Sequence, residues 1–180
     1  LPIMIASAHG HIEVVKLLIN DHRFDPGALG NFAFSFASMF GYIEIVKLLL
    51  ACPSVNPADN NNEAFLLAVE NGQVEVVKIL LQTSGVNPAD ANNCAIKMAS
   101  ENGQTEIVKL LLKDKRVDPG ADENYAIRYA SGSGHLEIMK LLLEDKRVDP
   151  SDYMNKAIKH ASRNGHTEIV KLLLADSRVY

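Results

Sequence analysis

Apolar and polar positions recur along the whole chain with a period of 31 residues. Each period holds a short segment with alanines at helical spacing, then a glycine, then a second and more apolar segment. In one period these are residues 95–102, Gly103 and residues 105–112. Apolar residues three and four positions apart share one face of a helix, so the pattern predicts two helices in each period. The recurring glycines are Gly10, Gly41, Gly72, Gly103, Gly134 and Gly165.

The ends of the two helices can be predicted from the same period. Asn102-Gly103 is typical of a helix that closes with a left-handed glycine. The hydroxyl of Thr105 is expected to cap the second helix, with Glu106 at the positive end of its dipole. Asp118-Pro119 is expected to stop that helix, because the residue before proline avoids the α region.

The second helix carries too many apolar residues for a single stripe, so neighbouring units must cover it. Leu110 and Leu111 are both expected in the interior. A period of this length is typical of stacked supersecondary units that cannot bury their apolar faces alone. The chain is therefore expected to offer an extended binding surface rather than a single catalytic pocket.

Two segments of the first period resemble the signatures of the ankyrin repeat. Residues 1–6 read Leu-Pro-Ile-Met-Ile-Ala, and residues 10–18 read Gly-His-Ile-Glu-Val-Val-Lys-Leu-Leu. The second signature recurs closely at residues 165–173, and the match covers nearly the entire chain. The resemblance implies an all-α ankyrin-repeat solenoid of six stacked helix-turn-helix units with protruding loops. The expected units are residues 1–30, 31–61, 62–92, 93–123, 124–154 and 155–180.

These units depart from the family mainly in the loop, where asparagine stands near the place of the family's glycine. Asparagine tolerates a left-handed conformation, so we expect these residues to form turns. The Asp-Pro-containing variant resembles arrays of amoebae, other protists and their giant viruses. Both ends of the chain are as apolar as its interior, so we expect it to be part of a longer array. The turn asparagines are Asn31, Asn62, Asn93, Asn124 and Asn155.

Composition and charge bear on the kinds of partner and on the cellular location to be expected. A net charge of −4 argues against wholesale binding to nucleic acid or to an anionic membrane. A lysine interrupts every apolar run, and no run approaches the length of about 20 residues that crosses a bilayer. Cys52 and Cys94 occupy different phases of the period, which predicts free thiols in a reducing compartment. We expect a cytoplasmic protein, located in the host cytoplasm if the chain is viral, with the nucleus as the alternative.

No motif for catalysis, cofactor binding or metal binding stands out. His11, His135 and His166 share a slot that holds tyrosine or glutamine in the other units, which favours structural hydrogen bonds over acid-base chemistry. His9 and His11 flank Gly10 but lack a third ligand, so they make a poor metal site. We therefore expect no catalytic residue, no cofactor and no metal ion.

In ankyrin proteins the loop tips and the exposed side of each first helix form a concave recognition surface, and the resemblance carries that role to the variable positions here. An aromatic patch in the second unit either anchors a partner or packs partly on adjacent units through Phe32 and Tyr42. A basic row in three later units suits an acidic or mixed-charge protein. The candidate protein-binding residues are Leu29, Phe32, Met39, Phe40, Leu66, Lys97, Arg128, Tyr153, Met154, Lys159 and Arg163.

The favoured function is a non-enzymatic scaffold that binds a protein partner. The alternative is a substrate-recruiting or regulatory module of a larger enzyme, such as a ubiquitin-ligase adaptor or a kinase. We expect a monomer that makes end-to-end contacts at high concentration. Those contacts would form because part of the apolar surface of the last helix lacks a covering unit. The residues that form this surface are Ile169, Val170, Leu172 and Leu173.

Overall fold

The computed structural model describes residues 2–179, and the regular secondary structure in that range is entirely α-helical. Its helices group into two compact units, Leu1–Pro88 and Ala89–Tyr180. Residues 1 and 180, at the outer edges of the expected first and last repeats, lie outside the described range. The first unit holds α1 (Pro2–Ala8), α2 (Ile12–Ile19), α3 (Ala28–Met39), α4 (Ile43–Leu50), α5 (Asp59–Glu70) and α6 (Val74–Leu81). The second holds α7 (Asp90–Glu101), α8 (Thr105–Lys113), α9 (Ala121–Ser133), α10 (Leu136–Glu144), α11 (Asp152–Arg163) and α12 (Thr167–Leu174).

The helices of each unit stack in two layers. In the first unit, α3 packs between α1 and α5, while α4 packs between α2 and α6. In the second unit, α9 packs between α7 and α11, while α10 packs between α8 and α12. Each first helix also contacts the second helix that follows it in the chain. The helix pairs predicted from the sequence are confirmed.

The core lies between these layers and repeats from pair to pair. Small alanines allow the first helices to approach closely, and Ala99 and Ala130 are fully buried. In α8, Ile107 and Leu111 are also fully buried, as the apolar pattern predicts. The expectation that Leu110 is equally buried was wrong. It is half-buried, whereas the adjacent Leu111 is fully buried.

Most of the predicted helix ends are confirmed, but two are corrected. The recurring glycines have φ between +69° and +83°, as expected for left-handed caps. Thr105 is the first helical residue of α8 rather than its cap, and the residue before it makes no capping bond through its side chain. The helix also ends at Lys113, before Asp118-Pro119. There Asp114 turns to an extended conformation, and its carboxylate accepts a bond from the backbone N–H of Arg116 at 3.0 Å.

Near its start, each first helix from α3 onward contains three consecutive left-handed residues, which form a turn between its first residue and the regular helix. Their φ values lie between +50° and +72°, and Gly30 is the single glycine among them. A left-handed conformation costs most residues about 1–2 kcal/mol, so the surrounding contacts must hold these turns in place. The turns are residues 29–31, 60–62, 91–93, 122–124 and 153–155.

The third residue of each turn is the expected asparagine, and in the first four turns its side-chain oxygen accepts a bond from the backbone of the next loop. Asn124, which is buried, accepts a bond at Oδ1 from the N–H of Asp149 at 2.8 Å. It donates from Nδ2 to the Asp152 carboxylate at 2.7 Å. Asn93 accepts in the same way from the N–H of Asp118 at 2.7 Å. The prediction that these asparagines form turns is confirmed, and the bond between loops explains why asparagine suits the position better than glycine.

The apolar positions of the last helix are covered unevenly. Ile169 and Leu173 are buried. Val170 and Leu172 are half-buried, whereas Val108, the equivalent of Val170 two repeats earlier, is fully buried. Part of this apolar surface is therefore uncovered, as expected.

Candidate functional site

A stripe of three phenylalanines runs along α3 and its C-terminal cap residue, in the first compact unit. Phe32, Phe36 and Phe40 are spaced four residues apart, with neighbouring ring centroids separated by 6.1 Å and 6.5 Å. Phe32 is 39% exposed and Phe40 is 46% exposed, while Phe36 between them is half-buried. Ile5, one repeat earlier than Phe36, is also exposed. We call Ile5, Phe32, Phe36 and Phe40 the phenylalanine surface.

The sequence left open whether Phe32 and Tyr42 pack on adjacent repeats or are available to a partner, and the structure distinguishes the two residues. The Tyr42 ring packs on the preceding repeat, where a Cβ placed on Gly10 would lie 2.8 Å from Tyr42 Cε1. Phe32 is exposed instead of buried in this way. Met39 is half-buried, and its carbonyl oxygen accepts a bond from Gln73 Nε2 at 3.0 Å. Phe36 was not anticipated, although its spacing from Phe32 and Phe40 was a usable signal.

The remaining apolar candidates are spread over different elements. Leu29 is exposed on its left-handed turn, whereas Leu66 in α5 is half-buried. Tyr153 and Met154 are both exposed on the turn that opens α11. The structure therefore places three of these four residues where a partner can reach them, but it does not bring them into one cluster.

The expectation of an exposed basic row was wrong at Arg128, which is only 9% exposed. Its Nε donates to the carbonyl oxygen of Glu123 at 2.8 Å, and its Nη2 donates to that of Asp122 at 2.9 Å. The left-handed turn at residues 122–124 leaves these carbonyls without helical partners, and the planar guanidinium binds both. The Tyr153 ring, with its centroid 4.9 Å away, covers the guanidinium. Arg128 stabilises a loop, which periodicity alone could not reveal.

Lys97 is also unavailable as a free charge. Its ammonium lies 3.2 Å from the Asp122 carboxylate and 5.5 Å from the centroid of the Tyr125 ring. Its side chain is only 15% exposed. The three-repeat basic row therefore loses two of its three members to contacts within the protein.

Exposed basic side chains instead line α11. Lys159 and Arg163 are exposed, and Lys156 lies against the Tyr153 ring at 5.4 Å from its centroid. Together with His160 they extend along one helix. No carboxylate among residues 2–179 lies within ion-pair distance of the three cations. We call Lys156, Lys159, His160 and Arg163 the basic surface.

A cluster of rings borders the basic surface. The Tyr125 and Tyr129 rings stack at 3.9 Å, and the edge of His160 meets Tyr129 with the centroids 6.0 Å apart. Burial raises the pKa of Tyr125, and so does its hydrogen bond of 2.9 Å to the Glu101 carboxylate. Tyr125 therefore stays protonated and acts as a donor. A shallow cleft of about 290 Å³ opens beside these rings. Its lining residues are Tyr129, Gly132, Ser133, His160, Arg163 and Asn164.

Two of the recurring histidines have the structural role expected of them. His135 donates from Nε2 to the Glu101 carbonyl oxygen at 2.9 Å, and His166 donates from Nε2 to that of Gly132 at 2.9 Å. In both cases the bond joins one helix pair to the preceding pair. The preference for hydrogen bonding over acid-base chemistry is confirmed for these two histidines.

The described residues hold no arrangement suited to metal chemistry or to crossing a membrane. Across residues 2–179, no three His, Cys, Asp or Glu side chains gather closely enough to hold a metal ion. Within the same range no helix has the length and apolar character of a transmembrane span. Cys52 and Cys94 are free thiols, and burial raises the pKa of Cys52.

The family follows from a match that covers almost the whole sequence. A model described as "Ankyrin repeats (3 copies)" matches residues 3–92, 34–122 and 96–179. The chain belongs to the ankyrin-repeat family. Proteins of this family generally mediate protein–protein interaction and are typically non-enzymatic modules. No curated protein matches the sequence significantly.

Solved structures agree on the fold. The crystal structure of EF0377, an ankyrin repeat protein, is 27% identical with a TM-score of 0.81 and covers 97% of this chain and 96% of its own. An ankyrin repeat domain from Acinetobacter baumannii AYE is 24% identical with a TM-score of 0.72 and covers 96% of both chains.

A third match shows the fold in a protein complex. It is a chain in the complex of the predatory endopeptidase Bd0816 from Bdellovibrio bacteriovorus with the immunity protein Bd3460. That chain is 22% identical with a TM-score of 0.77, and the match covers 94% of this chain and 95% of that one. None of these matches supports the expected likeness of the Asp-Pro-containing variant to arrays of protists and giant viruses.

Proposed function

We propose that this ankyrin-repeat chain is a non-enzymatic scaffold that binds a protein partner through the exposed faces of its first helices and through its loop tips. The phenylalanine surface is the main support for this proposal. Exposed large aromatic side chains are enriched among the residues that contribute most to protein binding. Three phenylalanines spaced four residues apart, along α3 and at its C-terminal cap, form an apolar strip of the kind that marks interaction sites.

The second helices offer a less suitable binding face than the first helices do, because ion pairs within the chain occupy their solvent-exposed side. Lys47 lies 2.8 Å from Glu44, and Lys109 lies 2.6 Å from Glu106. Exposed pairs of this kind contribute little to stability, but they keep the surface hydrated. The first-helix face lacks this regular pattern and carries the variable residues.

The experiment is affinity capture from cell lysate with the wild-type chain and with two variants, Phe32→Ala and Phe40→Ala. Leu17→Ala is the matched control, because Leu17 is an exposed apolar residue of the first compact unit on a second helix. A partner retained by wild type and by Leu17→Ala, but lost by the phenylalanine variants, is the expected result. Binding to the purified partner should weaken by about 30-fold, which corresponds to a hot-spot loss of about 2 kcal/mol.

The melting temperature should be nearly unchanged in the phenylalanine variants, because both side chains are already exposed. Equal capture by all the variants would contradict the proposal. A loss of capture accompanied by a large drop in melting temperature would show that these residues serve the fold instead.

A further inference from the structure

We propose that the basic surface of α11, together with the neighbouring cleft lined by Tyr129, Gly132 and Arg163, binds an acidic extended segment of a protein partner. This inference rests on the proposed function and specifies the chemistry of a partner for the second unit. It differs from the basic row expected from the sequence, because Arg128 and Lys97 are engaged within the protein.

The cations of the basic surface lack the counter-ions found elsewhere in the fold. The recurring lysine of each second helix lies within 2.8 Å of a glutamate three residues earlier. Lys159 and Arg163 are one helical turn apart, where like charges repel. An anion supplied by a partner would relieve that repulsion, so charge complementarity favours an acidic ligand.

Gly132 provides an independent observation at the same place. Its φ is not left-handed, and a Cβ built on it would meet His160 at an ordinary contact distance of 3.5 Å. Neither backbone conformation nor space requires glycine there, although glycine weakens a helix. The equivalent positions one and three repeats earlier hold Glu101 and Met39, and Arg163 follows one repeat later.

Packing between repeats does not explain this glycine either. The Gly132 carbonyl oxygen accepts bonds from Asn164 Nδ2 at 2.7 Å and from His166 Nε2 at 2.9 Å. Glu101 accepts the equivalent histidine bond with a full side chain in place. What the glycine does provide is the open cleft between Tyr129, His160 and Arg163.

The spacing of the cations indicates the form of the ligand. Lys159 and Arg163 are separated by about 6 Å along the helix axis at a rise of about 1.5 Å per residue. Alternate residues of an extended chain are separated by about 6.6 Å. An acidic residue at every second position would therefore align one carboxylate with each cation, with one of them entering the cleft beside Arg163.

An acidic protein segment fits this site better than a nucleic acid does. The chain carries a net charge of −4, and the loop tip formed by Asp122 and Glu123 is exposed in the same unit. A long polyanion would meet these carboxylates, whereas a short segment of a few residues would not.

The test is a nuclear magnetic resonance titration of the isotope-labelled full chain with a short peptide of alternating glutamate and serine. The expected result is a set of saturable shifts in the amides of residues 156–163 and 129–133. The shifts should be lost with the matched glutamine–serine peptide. Shifts that are absent, or that are equal with the glutamine peptide, would overturn the proposal.

Three variants separate the contributions of charge and cleft. Lys159→Glu and Arg163→Glu should each weaken peptide binding by about tenfold. Gly132→Met should fill the cleft and weaken binding without lowering the melting temperature. Lys171→Glu is the control, because Lys171 is exposed in the same repeat but lies on a second helix, paired with Glu168 at 2.7 Å. Normal binding by both charge-reversal variants would contradict the assignment.

A single-stranded oligonucleotide of matched charge tests the other class of polyanion. Tighter binding of the oligonucleotide than of the peptide would overturn the choice of an acidic protein segment. The outcome is also distinguishable from failure of the proposed function. If capture still depends on Phe32 and Phe40 while the peptide does not bind, this inference alone fails.

Discussion

His135 donates a hydrogen bond from Nε2 to the carbonyl oxygen of Glu101 at 2.9 Å, and its ring lies directly over Gly103. A Cβ placed on Gly103 would come within 2.7 Å of His135 Cε1. The glycine therefore has two physical reasons to recur. One is its left-handed φ of +76°, and the other is the close approach of the next repeat's side chain.

These two reasons can be separated by substitution. Gly165 has a similar φ of +74°, but a Cβ there would meet nothing within 4 Å. We expect Gly165→Ala to cost about 1 kcal/mol from backbone strain alone. Gly103→Ala should cost about 2–3 kcal/mol, because the ring must also move and lose its hydrogen bond. Chemical unfolding followed by circular dichroism measures both.

The control for this prediction is a double-mutant cycle. In a His135→Ala background the ring is absent, so Gly103→Ala should cost no more than Gly165→Ala. An unchanged cost in that background would show that contact with the ring does not explain the glycine.

The asparagine of each left-handed turn can be tested with another matched pair. Asn124 bonds to Asp149 and Asp152 of the next loop, whereas the Asn155 Oδ1 is buried with no partner among residues 2–179. Asn124→Ala should therefore lower the free energy of unfolding by about 2–3 kcal/mol, and Asn155→Ala by about 1 kcal/mol. Equal losses would mean that the turn conformation, and not the bond between loops, requires the asparagine.

Adjacent leucines in α8 test the assignment of the core. Leu111 is fully buried and Leu110 is half-buried. Leu111→Ala should cost about 2–5 kcal/mol through formation of a cavity, and Leu110→Ala should cost less than about 2 kcal/mol. Thermal and chemical unfolding of the two variants provides the measurement. A larger loss of stability for Leu110→Ala than for Leu111→Ala would show that the core lies on the Leu110 side of α8.

The fold could be predicted because the same pattern of apolar residues, glycine and proline recurs along the chain. A single apolar segment such as residues 105–112 fits a buried strand as well as a helix, but glycines and prolines at a fixed spacing leave little choice. The turn asparagines were also predictable, since asparagine recurs at one phase and tolerates a left-handed conformation. The left-handed residues before them, such as Leu29, Ala91 and Tyr153, carry no such signal.

The candidate site was harder to predict. Whether a surface side chain is exposed depends on its contacts with residues that do not recur from repeat to repeat. Arg128 shares its phase with Lys159, yet one is buried against its own turn and the other faces solvent. The difference comes from the carbonyls at residues 122 and 123 and from the Tyr153 ring. No periodic rule identifies such neighbours before the loop conformation is known.

A further recurring contact, between an aspartate and an arginine, was not predicted from the sequence. An aspartate followed two residues later by an arginine occurs in four repeats. Arg147 pairs with Asp145 at 2.6 Å. It also donates from Nη1 to the Val117 carbonyl oxygen at 2.6 Å and from Nη2 to that of Leu112 at 3.2 Å. The arginine therefore joins its own turn to the preceding repeat. The four pairs are Asp21 with Arg23, Asp114 with Arg116, Asp145 with Arg147 and Asp176 with Arg178.

Removing this contact should destabilise the protein in a way that depends on pH. Hydrogen bonds from Arg147 hold the pKa of Asp145 below its ordinary value, and burial opposes that shift only in part. A carboxylate with a lowered pKa in the folded state stabilises the protein above its unfolded value of about 4, and this stabilisation is lost as the pH falls through the lowered pKa. Arg147→Ala should cost about 1 kcal/mol at neutral pH, a modest value because the pair is partly exposed.

The difference between wild type and Arg147→Ala should narrow below about pH 4, because protonated Asp145 no longer attracts the guanidinium. It should not vanish, since the bonds to Val117 and Leu112 do not titrate. Arg23→Ala is the control: Arg23 pairs with Asp21 on the surface, where its side chain is exposed, and should change stability little. Chemical unfolding of the three proteins across the acidic range decides the matter. A difference that stays constant with pH would assign the stabilisation to the carbonyl bonds alone.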